Sequence, residues 1–418
     1  MNTRPNPAPR RLQRAAPPGH QPAPGLQSFF APCPRGLEHL LVDELSALGA
    51  SDIGAVPGGA LFRGDWRVCY RANLHSRIAT RVLWRVGQGR YASEHDIYAL
   101  ASAYVWPEWF EVKRTLRVYL TATRSPLRSL EFATLRVKDA VCDRFRAVTG
   151  QRPSVDTAAP DVRIHVFLNQ DSATFYLDTS GEPLYKRGYK QAPVAAPLKE
   201  NLAAGILKLA GWQPGEPLLD PMCGSGTFLL EAAQISLNIA PGLGRSFGFE
   251  KLRIFQPALW RALRDEAQAA CLPLRQLPIF GSDRHRQQVI NARTTLDAAG
   301  LLEAVQFELV DVLERQAPAP EGVLIANPPY GVRLGEKEEL AAFYPKLGNA
   351  LKQHFSGWRC YFISGDEQFP ALIKLKASKR TPLFNGALEC RLYEYRMVAG
   401  SNRRRGDQVA GGEAASSA

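Results

Sequence analysis

The run Leu218-Leu219-Asp220-Pro221-Met222-Cys223-Gly224-Ser225-Gly226-Thr227 constrains the fold of this chain more than any other. An apolar strand ends on an acid, turns through two glycines and opens at once into an apolar-periodic helix predicted over 227–239. A helix at 198–210 precedes it. Strand 278–283, helix 286–299, strands 305–310 and 322–327, helix 338–355 and strand 358–364 follow. Such alternation predicts a doubly wound α/β sheet, whose ligands bind at the carboxyl ends of the strands. Residues 382–397 read as two more strands turned through Asn385-Gly386, a strong hairpin dipeptide.

The glycine turn says which ligand fits. Gly224 and Gly226 let a ligand approach the backbone without a Cβ in the way. The dinucleotide fingerprint is absent, since position 229 is Leu, and there is no Gly-Lys-Ser/Thr triphosphate cradle. An acid at the strand end suits an amine-bearing cation better than a pyrophosphate, so Asp220 would face the ammonium of S-adenosylmethionine. Pro221, Ser225 and Thr227 complete the candidate cofactor loop. Asp283 ends the next strand and can accept both ribose hydroxyls. Asp311 ends the third; it can accept from an adenine amine beside Val312, and it is also an ordinary cap position.

Ala326-Asn327-Pro328-Pro329-Tyr330-Gly331 ends the fourth strand. The two prolines remove two backbone donors and fix a turn. What remains is a pair of acceptors, the Asn327 side-chain oxygen and the Pro328 carbonyl, suited to gripping both hydrogens of an NH2 group. Tyr330 offers a face on which a base can stack. Asn327, Pro328, Pro329 and Tyr330 are therefore the candidate catalytic set. Transfer of an activated methyl needs alignment rather than a nucleophile, and Cys223 is read as part of the cofactor loop. The product would be S-adenosylhomocysteine.

The seven cysteines are scattered without a CxxC pair, which favours a reduced cytoplasmic setting and leaves no zinc spacing, so no metal site is expected. No apolar run is long enough to span a membrane. The first 25 residues carry seven prolines, four arginines and no acid, and residues 1–26 and 399–418 read as disordered tails.

The net charge of +12 makes a polyanion partner plausible. Seven arginines (63, 67, 71, 77, 81, 85 and 90) fall in residues 63–90, and nine Lys or Arg in 113–146. They read as phosphate-neutralising, or as a face whose acids lie elsewhere in the chain. The front of the chain reads as two small α+β modules, 27–69 and 70–182, with helices at 36–48, 74–83 and 130–145 and strands at 115–122, 162–168 and 173–178. A Pro/Gly-rich basic linker, 183–197, follows. Tyr185, Lys186, Arg187, Tyr189 and Lys199 are candidates for substrate contact. Residues 241–275 form an insertion with an amphipathic helix near 257–270, read as flanking the substrate cleft.

The chain resembles the THUMP-domain class of RNA guanine-N2 methyltransferases over roughly residues 27–397. The resemblance is carried by Ser28–Ala31, Arg35–Glu38, Val137–Ala140, Ala159–Arg163, Arg187–Tyr189, Ala196–Glu200, Gly211–Gly215, Asp220–Thr227, Asp283 and Asn327–Tyr330. It implies a ferredoxin-like domain, a THUMP RNA-binding domain and, over 198–398, a class I methyltransferase domain. It further implies methylation at N2 of a guanine of 23S rRNA, the one numbered 2445, on free rRNA or a large-subunit assembly precursor, with no obligate protein partner. Some members carry a second methyltransferase domain after the first. This sequence has room for one, and the second activity is not expected. The Asn327–Tyr330 pattern also serves adenine-N6, cytosine-N4 and glutamine-N5 methylation. A tRNA guanine or another rRNA guanine is the nearest alternative substrate, and a non-catalytic ribosome assembly factor the alternative of another class.

Overall fold

The computed structural model describes residues 25–189, 198–329 and 334–398. The elements in chain order are β1 (Gln27–Pro32), α1 (Glu38–Ala47), β2 (Ser51–Val56), β3 (Gly59–Gly64), α2 (Trp66–His75), β4 (Leu83–Arg90), α3 (Glu94–Ala103), β5 (Leu116–Ala122), α4 (Leu130–Thr149), β6 (Val162–Leu168) and β7 (Ser172–Asp178). There follow α5 (Glu200–Leu209), β8 (Leu218–Asp220), α6 (Thr227–Ser236), α7 (Pro257–Ala269), β9 (Ile279–Asp283), α8 (Arg286–Ala298), β10 (Gln306–Leu309), β11 (Gly322–Ala326), α9 (Leu334–His354), β12 (Trp358–Ser364), α10 (Phe369–Leu372), β13 (Lys379–Asn385) and β14 (Leu388–Arg396). The chain packs as two units, Arg85–Leu177 and Ser28–Trp84 joined with the residues from Asp178 on.

In the Arg85–Leu177 unit the strand order is β4, β7, β6, β5, with β5 parallel to β6 and β6 antiparallel to β7. Helix α4 begins at Ser129, whose hydroxyl accepts from Phe132 N, and stops at Gly150, which takes the left-handed φ of 74° that a side chain resists. It buries Val137, Val141 and Phe145.

The other unit holds a seven-stranded sheet ordered β10-β9-β8-β11-β12-β14-β13. Strands β8 to β12 are parallel, and β14 runs antiparallel to both β12 and β13. Every residue of β11, Gly-Val-Leu-Ile-Ala, is buried. That is the uninterrupted apolar signature of a parallel strand covered on both faces. From β8 the chain winds outward through β9 to β10 and then crosses back to lay β11 on the other side of β8. The sheet's topological switch point lies between β8 and β11.

The same unit contains β1, α1, β2, β3 and α2. The helix expected at 74–83 is displaced: α2 starts at Trp66 and ends at His75. Asp65 caps its start, accepting from Val68 N at 2.9 Å. Its end is fixed by Glu44, whose carboxylate accepts from the Ser76 hydroxyl at 2.6 Å, Arg77 N at 2.9 Å and Ile78 N at 3.2 Å. Those donors are therefore taken from any continuing helix. Helix α2 also runs through position 70, where the sequence reading divides the two front modules; the packing units part at residue 84. The insertion packs against this helix. Tyr70 of α2 stacks on Phe249 at 4.3 Å and meets Phe255 and Trp260 edge-on, while Arg71 pairs with Glu266 at 3.2 Å. Phe249, Phe255 and Trp260 of the insertion thus seat α2. Among the described residues no helix is long and apolar enough to cross a membrane.

Candidate active site

Because β10, β9, β8 and β11 are neighbours and parallel, their carboxyl ends form one edge. Asp311, Asp283, Asp220 and Asn327 stand along it in that order. Asp220 is the last residue of β8 and is 2% exposed. One carboxylate oxygen accepts from Met222 N at 3.2 Å. Among the described residues no basic side chain pairs with it. Burial drives its pKa well above the usual carboxylate range; Asp283 nearby pushes the same way, and the Met222 N–H opposes.

Asp283 closes β9. One of its oxygens accepts from Gly224 N at 3.2 Å and the other from His285 N at 2.9 Å. This carboxylate thus fixes the glycine turn and retains lone pairs for further donors. Cys223 N donates to Ser282 O at 3.0 Å, and Gly226 N to Cys223 O at 2.7 Å. Gly224 and Gly226 have φ of 51° and 77°. A Cβ on Gly224 would stand in open space, whereas one on Gly226 would come within 3.1 Å of Ala292 Cβ. The first glycine therefore has open space beside it, and the second lets α6 pack on α8. Ser225 and Thr227 hydroxyls lie 3.5 Å apart. Pro221 is buried beside Asp220 in the chain. The Cys223 thiol is pushed far up by burial, so it stays protonated.

Asp311 lies two residues past the end of β10 and accepts from Leu313 N at 2.9 Å, with Val312 buried beside it. Asn327 directly follows β11 and is half-buried; Pro328 is buried and Pro329 exposed. Tyr330 lies outside the described residues.

Three family models match. One, described as "RMKL-like, methyltransferase domain", covers residues 187–394; a THUMP domain covers 91–178 and an RlmL ferredoxin-like domain 28–83. The chain is 43% identical over 379 residues to the ribosomal RNA large subunit methyltransferase K/L of Syntrophotalea carbinolica, aligning 88% of this chain with 53% of that protein. It spans about half the length of the curated relatives it matches. Among solved structures, the methyltransferase SMU.472 in complex with SAH is 30% identical with a TM-score of 0.81, covering 90% of this chain and 99% of that one. The chain belongs to the RlmK/L-like methyltransferases. A Listeria monocytogenes protein described as a predicted N6-adenine-specific DNA methylase superimposes similarly, at TM-score 0.80 and 30% identity over 89% of this chain and 96% of that one. The family architecture is ferredoxin-like, THUMP and Rossmann-like methyltransferase, and the solved relative SMU.472 holds S-adenosylhomocysteine, the demethylated form of S-adenosylmethionine. The site suits that cofactor. It offers a desolvated carboxylate without a cation, a second carboxylate with spare lone pairs, and a glycine whose missing Cβ leaves room.

In this methyltransferase much of the basic front half is internally neutralised. Arg63 pairs with Asp52, Arg71 with Glu266, Arg77 with Glu231, Arg81 with Asp178 and Arg90 with Asp171. Arg187, read as a substrate contact, is 5% exposed. Its Nε donates to Glu231 Oε1 at 3.0 Å and its other nitrogens to the carbonyls of Leu184 and Arg77. Arg77 Nη1 reaches Glu231 Oε2 at 3.1 Å. Sequence reasoning missed this Arg-Glu-Arg cluster centred on Glu231 of α6. Its one legible trace is Glu231, an acid on the otherwise apolar first turns of the helix after the glycine loop. Of the other linker candidates, Lys186 is exposed and pairs with Glu182, Lys199 lies over the Tyr185 ring at 5.0 Å, and Tyr189 is half-buried.

Proposed function

We propose that this enzyme methylates the N2 amine of a guanine in 23S rRNA, at the guanine 2445 position implied by the resemblance, on free rRNA or a large-subunit precursor in the cytoplasm. The observation that carries the reading is the single sheet edge on which the Asn327-Pro328 acceptors stand beside the buried Asp220 and Asp283. Bound S-adenosylmethionine supplies a methyl group already activated by its sulfonium. In this reading Asp220 holds the ammonium of the cofactor, Asp283 its ribose hydroxyls and Asp311 its adenine amine. Gly224 to Thr227, with Pro221, shape the turn beneath it. The Asn327 side-chain oxygen and the Pro328 carbonyl accept the two N2 hydrogens. That grip draws the nitrogen lone pair out of ring conjugation and stabilises the positive charge growing on it. Pro329 rigidifies the turn, and Tyr330 stacks on the base, which must first leave its helix.

The match to a THUMP domain and to ribosomal RNA methyltransferases supports RNA over DNA as substrate. Mapping modified nucleosides of 23S rRNA by mass spectrometry, with and without the gene, tests the assignment. The guanine should lose its methyl on deletion and regain it with purified enzyme. A guanine that stays methylated in the deletion strain rules the site out.

A further inference from the structure

A cavity of about 150 Å³ lies where four segments meet: the loop after β1, the stretch between α2 and β4, the start of α5 and the turn between β13 and β14. Arg35, Thr80, Lys199, Asn201, Phe384 and Gly386 are in its wall. Helix α5 leads into β8 through a short connection, so its start faces the edge at which β8 ends. Strand β13 pairs antiparallel with β14, itself antiparallel to β12, so the turn at Gly386-Ala387 belongs to that edge too. The cavity is therefore on the catalytic side of the sheet, yet none of the cofactor-loop or Asn327–Pro329 residues lines it.

Its chemistry is one-sided. Arg35 lies over the Phe384 ring at 5.1 Å, and Lys199 Nζ is 3.9 Å from where a Cβ on Gly386 would stand. Neither cation forms an ion pair with a described acid. Asn201 is fully buried, and its Nδ2 donates to Ile78 O and Thr80 Oγ1, both at 3.2 Å. Those two bonds fix which end of the amide is oxygen, and Asn201 Oδ1 has no partner among the described residues. A buried acceptor without a donor is costly to keep, and a site that keeps one is suited to a ligand that brings the donor. Two cations and one acceptor match a phosphate joined to a hydroxyl, in a space sized for a sugar-phosphate rather than a whole nucleotide.

We infer that this cavity holds a sugar-phosphate of the RNA strand flanking the target base, with the phosphate on Arg35 and Lys199 and a ribose 2′-hydroxyl donating to Asn201 Oδ1. This rests on the RNA reading above, and it adds a physical means of telling RNA from DNA beside the site.

The test uses the full chain with Arg35→Gln, Lys199→Gln and the double variant. Methyl transfer to unmethylated 23S rRNA is measured against RNA concentration and salt, and S-adenosylhomocysteine affinity by calorimetry. Each single variant is expected to raise the KM for RNA about tenfold at constant cofactor affinity. The double variant is expected to lower the slope of log KM against log salt by roughly 0.7. In wild type, rRNA fragments made 2′-deoxy at one nucleotide at a time near the target should lose several-fold in KM at one position only. An unchanged KM in all three variants overturns the inference. So does an equal fall in cofactor affinity, which would assign the cavity to the cofactor. If wild type methylates no 23S rRNA, the substrate reading has failed, and equilibrium binding of a labelled single-stranded RNA and its DNA twin decides the cavity. A several-fold RNA preference that shrinks in the Lys199 variant supports it; equal binding of RNA and DNA in wild type sinks it.

Discussion

Arg187 Nε lies 3.0 Å from Glu231 Oε1, and the two side chains are 1% and 0% exposed. With Arg77 on the other carboxylate oxygen, Glu231 joins two parts of the chain to α6, the helix that follows the cofactor loop: the segment after α2 and the stretch before α5. The buried guanidiniums are satisfied by this one carboxylate and by carbonyls, so each depends on the others.

Glu231→Gln should therefore destabilise the protein by about 3–5 kcal/mol, the usual cost of leaving a buried charge without its partner. Chemical denaturation would measure it. Arg187→Lys alone should also destabilise the protein, since an ammonium cannot serve the carboxylate and two carbonyls in the same planar geometry. A loss under 1 kcal/mol would mean that water, rather than Glu231, satisfies the two arginines.

The two loop glycines should separate stability from binding. Both need the left-handed backbone, at about 1–2 kcal/mol for any residue with a Cβ. Gly226→Ala adds a contact of 3.1 Å with Ala292 and should lower Tm more. Gly224→Ala meets no protein atom and should cost less stability, but its methyl enters the ligand's space and should weaken S-adenosylhomocysteine binding at least tenfold. Thermal melting and calorimetry on the two variants would show whether this ordering holds.

The parts legible in the sequence are the local ones. The glycine turn, the all-buried β11 and the β13–β14 hairpin each declare themselves within a few residues, because strand burial and turn chemistry are local demands, although the hairpin turns through Gly386-Ala387, one residue later than the expected Asn385-Gly386. Partners distant in sequence were not legible. Arg77 and Arg187 meet Glu231 across 154 and 44 positions, so on charge alone they resemble substrate contacts. Helix α2 was misplaced for the same reason, since its end is set by Glu44, more than thirty residues earlier. Strand β2 gave no signal because no residue of it is buried.

Asp220 should make cofactor binding depend on pH. Its pKa is raised in the folded protein by burial. An acid raised in this way favours folding at low pH, and that contribution is lost as pH climbs from the ordinary carboxylate range through the raised value. A bound ammonium reverses the penalty, so binding should release a proton, and affinity should rise with pH until Asp220 is ionised without ligand. Asp220→Asn should flatten that profile and weaken binding roughly 10- to 100-fold. The same change should stabilise the ligand-free protein above the ordinary carboxylate range, because the cost of burying the charge or of holding its proton has gone. Calorimetry in buffers of differing ionisation enthalpy would count the proton; none released by wild type would detach Asp220 from the ammonium.

Asn327 is the residue on which cofactor binding and chemistry should come apart. It follows β11, whose neighbour β8 carries Asp220, yet the proposed cofactor contacts are made from β8, β9 and β10. Removing its amide should leave S-adenosylhomocysteine affinity within about twofold. The amine would keep one acceptor, the Pro328 carbonyl, and lose the one that turns its lone pair toward the methyl. Deleting a comparable polar group at a developing charge costs about 10²–10³ in kcat. Asn327→Ala should fall at least that far, with the KM for RNA changed much less, since strand binding is borne by residues away from the reacting nitrogen. Asn327→Asp keeps an acceptor oxygen and should recover part of the rate at a pH where the carboxylate is ionised. Single-turnover methyl transfer with saturating cofactor would measure all three enzymes. Wild-type rates in the alanine variant would remove Asn327 from the chemistry, and with it the acceptor pair proposed to select an exocyclic amine.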